Sequence, residues 1–146
     1  MSALALNGSC HCGAVRVALL PSKPAAELPL RACQCGFCRR HGGLTVSDPD
    51  GHLHIEASGG MVRRYRFSQM QSDYLFCEGC GAYVGAITET DIGTLGIVNV
   101  RGVDMADFQG REPDPMNYEA ENVAERQTRR KARWTPAEFI ELKANS

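Results

Sequence analysis

Three cysteines fall within six residues of this chain, Cys33, Cys35 and Cys38 in the run CQCGFC, and four more stand at Cys10, Cys12, Cys77 and Cys80. A thiolate is both a soft metal ligand and a nucleophile. Structural zinc takes four protein ligands, whereas catalytic zinc takes three and keeps one position open. Seven sulfurs therefore divide naturally into a closed set of four and an open set of three. In CEGCG, Cys77 and Cys80 have the spacing of a metal knuckle, and Gly81 supplies the positive φ that such a turn needs. Cys10 and Cys12 in CHCG, expected at the start of a strand with both side chains on one face, complete a tetrahedron. That set would clip the N-terminal strand to a distant hairpin, where closing a long loop makes a metal most stabilising.

Cys33, Cys35 and Cys38 then stand as a three-thiolate zinc site with a free position that binds water or a substrate thiol and lowers its pKa. Two further readings stay open for this set: closure by His41, three residues after Cys38, or a site that is empty or partly oxidised. Arg39 and Arg40 follow the last cysteine and are candidates for a carboxylate of the co-substrate, with exposure or neutralisation of the thiolates as the plainer role. His11 is expected to be exposed. His52 and His54 alternate on a predicted strand, as a solvent-facing pair rather than a two-imidazole metal patch.

The elements that must position these groups are mostly strands. AVRVAL, HLHIE, MVRRYRF, DYLFC and TLGIVNV carry the period-2 or short apolar patterns of strands, and LPSKPAAELP, SDPDG, ASGG and CEGCG are turn chemistry between them. Short strands at close spacing imply antiparallel sheets and a mainly β fold. The whole chain, 1–146, reads as one domain with a core of about residues 8–110 and a polar tail from about 115, in which NVAERQTRRKARW reads as an exposed helical or irregular segment. In TPAEFIEL the N-cap threonine, first-turn proline and Glu138 predict a short C-terminal helix, with Trp134 anchoring the tail. The run RRKAR at 129–133 reads as a solvated face.

With 16 basic and 17 acidic side chains, a formal charge of -1 leaves no field to draw a polyanion or an acidic membrane surface. Nucleic acid is thus an unexpected partner. No apolar run reaches the length of a membrane span, and MSALALNGSC lacks the basic leader and apolar core of a secretory signal, so a cytoplasmic location is expected. In a reducing compartment seven thiols serve as metal ligands or reactive groups rather than as disulfides.

The segments GSCHCGAVRV, CQCGFCRRHGG and FCEGCGAYVG resemble, in order and spacing, the signature segments of the glutathione-dependent formaldehyde-activating enzyme family, which includes centromere protein V. The resemblance implies a small β-tent fold around two zincs, with Cys10, Cys12, Cys77 and Cys80 matching the structural ligands and Cys33, Cys35 and Cys38 the catalytic ones. It further implies a carbon–sulfur lyase-type activity, addition of the glutathione thiol to formaldehyde, with glutathione and a small electrophile as partners. Tyr74 stands where many members carry arginine, Ala82 where serine is common, and LTVSDPDGHLH lacks aromatic residues often found there. The competing expectation is a non-enzymatic binding module stabilised by two closed zincs.

Overall fold

A computed structural model describes residues 4–143; residues 1–3, part of the stretch read above for a leader, and 144–146 lie outside the described residues. Eleven strands dominate it. They are β1 (Leu6–Ser9), β2 (Val15–Leu20), β3 (Leu30–Cys33), β4 (Thr45–Val46), β5 (His52–Ala57), β6 (Val62–Tyr65), β7 (Asp73–Cys77), β8 (Tyr83–Thr90), β9 (Gly93–Asn99), β10 (Asp114–Met116) and β11 (Thr135–Glu141). Two α-helices interrupt them, α1 (Gly36–His41) and α2 (Val123–Arg133). No helix among the described residues is long and apolar enough to cross a membrane.

The strands join in the order β1-β2-β5-β11-β9-β4-β3-β10, and a second arm β6-β7-β8 reaches the same β9. On β9 one edge carries β8, while the other is shared, Gly96 and Leu95 pairing β11 and Asn99 and Val98 pairing β4. The pattern of the sequence explains which faces are buried. Val15, Val17 and Leu19 of β2 and Leu53, Ile55 and Ala57 of β5 point inward and are fully or almost fully buried, with their neighbours turned toward solvent. They meet Leu75 of β7, Val84 of β8, Val98 of β9, and Val103 and Met105 of the segment after β9 in one core. Each buried Leu or Ile removes enough apolar surface to contribute about 1.5–3 kcal/mol.

Three local expectations are corrected. The C-terminal helix exists but lies one segment earlier: residues 123–133 form α2, and TPAEFIEL forms β11. The true capping box is Asn122 with Glu125, where Asn122 Oδ1 accepts from the Glu125 amide at 2.8 Å and Glu125 Oε1 accepts from the Asn122 amide at 3.0 Å. Residues 135–141 forgo their local helix signals because the open edges of β5 and β9 offer them a ladder, a tertiary gain that exceeds intrinsic propensity. Second, the sheets are not wholly antiparallel, since β11 runs parallel to β5 and β10 parallel to β3. Third, Cys10 and Cys12 sit in the turn between β1 and β2 rather than on a strand.

Candidate metal centre

The β1–β2 turn and the β7–β8 turn face each other, and the cysteines of each point into the gap. Gly13 (φ 83) and Gly81 (φ 78) close these turns in the left-handed region, which a Cβ disfavours. The Gly13 amide donates to the Cys10 carbonyl three residues back, and the Gly81 amide to that of Cys77 four residues back, so each turn is closed by its own backbone. Cys10 and Cys12 sulfurs stand 3.8 Å apart, and Cys12 and Cys77 sulfurs 3.4 Å apart across a separation of 65 residues. Sulfurs about 2.3 Å from a tetrahedral zinc are nearly 4 Å from one another, so this set fits the ion. Amides of Val15 and Gly79 donate to Cys10 and Cys77 Sγ at 3.3 Å, as expected around thiolates. A Cβ on Gly79 would lie 3.2 Å from Cys12 Sγ, so glycine keeps the cradle clear. Burial pushes the Cys77 thiol up to about 12, while the amide of Cys12 pulls Cys80 down to about 6.

The second group forms where β3 runs into α1. Cys33 ends the strand, Cys35 caps the helix by accepting from the Cys38 amide at 3.3 Å, and Cys38 is buried in the first turn. One turn of helix thus brings three sulfurs within 4.8 Å of one another. The Cys33 thiol, and then that of Cys38, donates to Cys35 and holds it at about 2, while the two donors are pushed up. All seven cysteines are free thiols, a soft donor set suited to zinc.

His41 is not among the ligands gathered there. It lies exposed at the end of α1, with its ring 4.6 Å from Phe37 and 5.3 Å from Phe76. Arg39 and Arg40 are also exposed and bond locally, Arg39 Nε to the Gln34 carbonyl and Arg40 to that of Gly36. Neither borders a cavity at the three cysteines. His11 is exposed, as expected. His52 and His54 both meet Glu138 of β11, at 3.4 and 2.7 Å.

Two cavities open on the cysteine trio. An outer cleft of about 480 Å³ borders Cys33 and Cys35 and is walled by Phe37, Phe67, Tyr74 and Tyr118. An inner chamber of about 60 Å³ borders Cys33 and Cys38 and reaches Tyr83 and Trp134. Tyr74, whose hydroxyl is pushed up to about 12 by burial, lines both. The aromatic wall is a packed cluster around Phe37, whose ring lies 4.8 Å from Phe67, 5.0 Å from Tyr74 and 5.1 Å from Tyr83.

The cations of these cavities come from α2 and β3. Arg126, Arg129 and Arg130 line the outer cleft, and Arg31, Arg129, Arg130 and Arg133 the inner chamber. Arg130 is only 6% exposed, so the solvated-face reading of RRKAR is corrected at its second residue. Arg129 stacks 3.6 Å over the Tyr118 ring and forks onto Glu121, which Arg126 also approaches. These residues recur at the i, i+3, i+4, i+7 spacing of one helical face, a signal present in the sequence once a helix is placed at 123–133.

The profile of the glutathione-dependent formaldehyde-activating enzyme family matches residues 5–120. The crystal structure of a Rhodobacter sphaeroides protein, a structural-genomics target, is similar with a TM-score of 0.52 at 27% identity, over 75% of this chain and 97% of that one.

Proposed function

Because the chain belongs to the glutathione-dependent formaldehyde-activating enzyme family, we propose that it is a zinc-dependent carbon–sulfur lyase-type enzyme. In this proposal it adds a thiol, glutathione, to formaldehyde or another small electrophile at the three-cysteine site. Cys10, Cys12, Cys77 and Cys80 hold a closed structural zinc, and Cys33, Cys35 and Cys38 hold the second. When bound there, zinc supplies the positive charge that keeps a substrate thiol in its nucleophilic form and a position for that thiol.

The remaining work falls to the chain. The outer cleft, within the volume range of small-molecule sites, receives the thiol, and its aromatic wall excludes water from the reacting sulfur. Arg126 and Arg129 offer guanidinium groups to the carboxylates of the tripeptide. The sulfur attacks the aldehyde carbon, a carbon–sulfur bond forms, and the carbonyl oxygen takes a proton.

The observation that carries the reading is the difference between the two cysteine sets. Four sulfurs gather at one and three at the other, where two cavities meet and the nearby imidazole of His41 is turned against aromatic rings instead. Zinc stoichiometry and X-ray absorption, with and without glutathione, test it. Two zincs per chain are expected, with an added sulfur at one of them when glutathione is present. Two zincs saturated by protein ligands and unchanged by the thiol would point instead to a binding module.

A further inference from the structure

The inner chamber holds more positive charge than thiol addition to formaldehyde uses. Its volume of about 60 Å³ is room for a handful of waters, or for one molecule of a few heavy atoms. Cys33 and Cys38 form one wall, and Arg31, Arg130 and Arg133 approach from the others. Arg31 donates to Ser47 Oγ at 3.0 Å, yet among the described residues no carboxylate lies within ion-pairing distance of these three cations, and no acid borders the chamber. Three thiolates on a divalent ion carry one net negative charge, which leaves a surplus against three guanidinium groups.

Two buried polar atoms here also lack a partner. They are Nε of Arg130, 6% exposed, and the hydroxyl of Tyr83, 3% exposed. Burying a guanidinium without a counter-charge is costly, and buried polar groups are otherwise almost always satisfied. Both orphans belong to residues that line this chamber beside the cysteines.

We propose that the electrophile is itself an anion, a small 2-oxo carboxylate, with its carboxylate on Arg130, Arg31 and Arg133 and its carbonyl directed toward the cysteine trio. The proposal rests on the thiol-addition reading of that site. The thiol enters through the larger outer cleft and the electrophile occupies the chamber. The thiolate sulfur attacks the 2-oxo carbonyl carbon, which is an aldehyde carbon in glyoxylate, the carbon–sulfur bond forms, and the carbonyl π pair moves to oxygen. That oxygen accepts a proton from the Tyr83 hydroxyl, which solvent restores. The product is a hemithioacetal that keeps its carboxylate, and no oxidant or reductant is needed.

The chain's single tryptophan, Trp134, lines the chamber and lies 4.9 Å beneath the Arg130 guanidinium, so its fluorescence reports occupancy. The zinc-loaded full chain is titrated with glyoxylate and with neutral glycolaldehyde, without thiol, and turnover of both is then measured with glutathione. Glyoxylate is expected to bind about 10- to 100-fold more tightly, the range of a charge-assisted contact. In Arg130→Met that preference disappears in both binding and kcat/KM, while Arg130→Lys keeps part of it. Arg133→Gln, at an exposed position, weakens glyoxylate alone and serves if the buried variants fail to fold. Equal binding of the two aldehydes by the wild-type chain overturns the proposal. So does a variant that loses discrimination between glutathione and 2-mercaptoethanol with its aldehyde preference intact, since the arginines would then serve the thiol. X-ray absorption separates the two levels: a glutathione sulfur at the metal with no aldehyde preference leaves thiol addition standing and removes only the anionic electrophile.

Discussion

Seven identical side chains fall into two groups with different surroundings. Cys77 is buried at the end of β7, in the cluster where the β1–β2 and β7–β8 turns meet, whereas Cys35 caps the short helix α1 beside a cleft. Cys77→Ser is therefore expected to lose one zinc and a large part of a folding stability that totals about 5–15 kcal/mol in an ordinary domain. Cys35→Ser is expected to remain folded, with a melting temperature near wild type, and to lose binding of glutathione. Metal analysis and thermal melts on both variants check this, and unfolding of Cys35→Ser would mark its site as structural. The division of the cysteines was legible because ligand number and spacing are local properties. The positions of Arg39 and Arg40 were not, because adjacency in sequence says nothing about which side of a helical turn faces a cavity.

At the scale of elements, α2 is the piece whose function was least visible. Its charge run matches a solvated face, and only packing against Tyr118, Trp134 and Glu121 makes it a wall of the site. Asn122→Ala removes the cap and is expected to cost about 1 kcal/mol and to raise the KM of the thiol more than it lowers kcat, as the arginines lose their fixed positions. A change in kcat alone would contradict this. Burial tends to raise the Glu121 carboxyl, but Arg129 and then Arg126 outweigh it and hold the carboxyl below the usual range. A depressed carboxyl stabilises above its unfolded pKa of about 4.3, and the contribution is lost as pH falls through the lower folded value. Acid titration followed by Trp134 fluorescence should show this limb, and Glu121→Gln should lack it.

The strand that replaced the expected C-terminal helix gives a further test. Thr135 Oγ1 accepts from the buried Asp48 amide at 2.8 Å, joining β11 to the end of β4. Thr135→Val leaves that donor without a partner and is expected to cost about 1–3 kcal/mol in chemical denaturation without altering zinc content. The helix was predicted from capping residues that are real helix signals. What the local pattern omits is the pair of open edges, on β5 and β9, waiting many residues upstream.

Across the whole molecule, the main strands were readable from alternation, and β2 and β5 show it residue by residue. β8 was missed because it is buried on both faces and has no alternation to detect. The order in which the parts become available also matters. The cysteine clip needs nothing beyond Cys80, whereas β11, which lies between β5 and β9 and joins the two arms of the sheet, is formed by residues 135–141. At synthesis rates of about 5–20 residues per second, roughly 3 to 12 seconds separate the two. If the four-cysteine set takes zinc as proposed, a nascent chain can capture that ion while the edges of β5 and β9 are still bare, and the clip would keep the two arms together until the strand that joins them has been made.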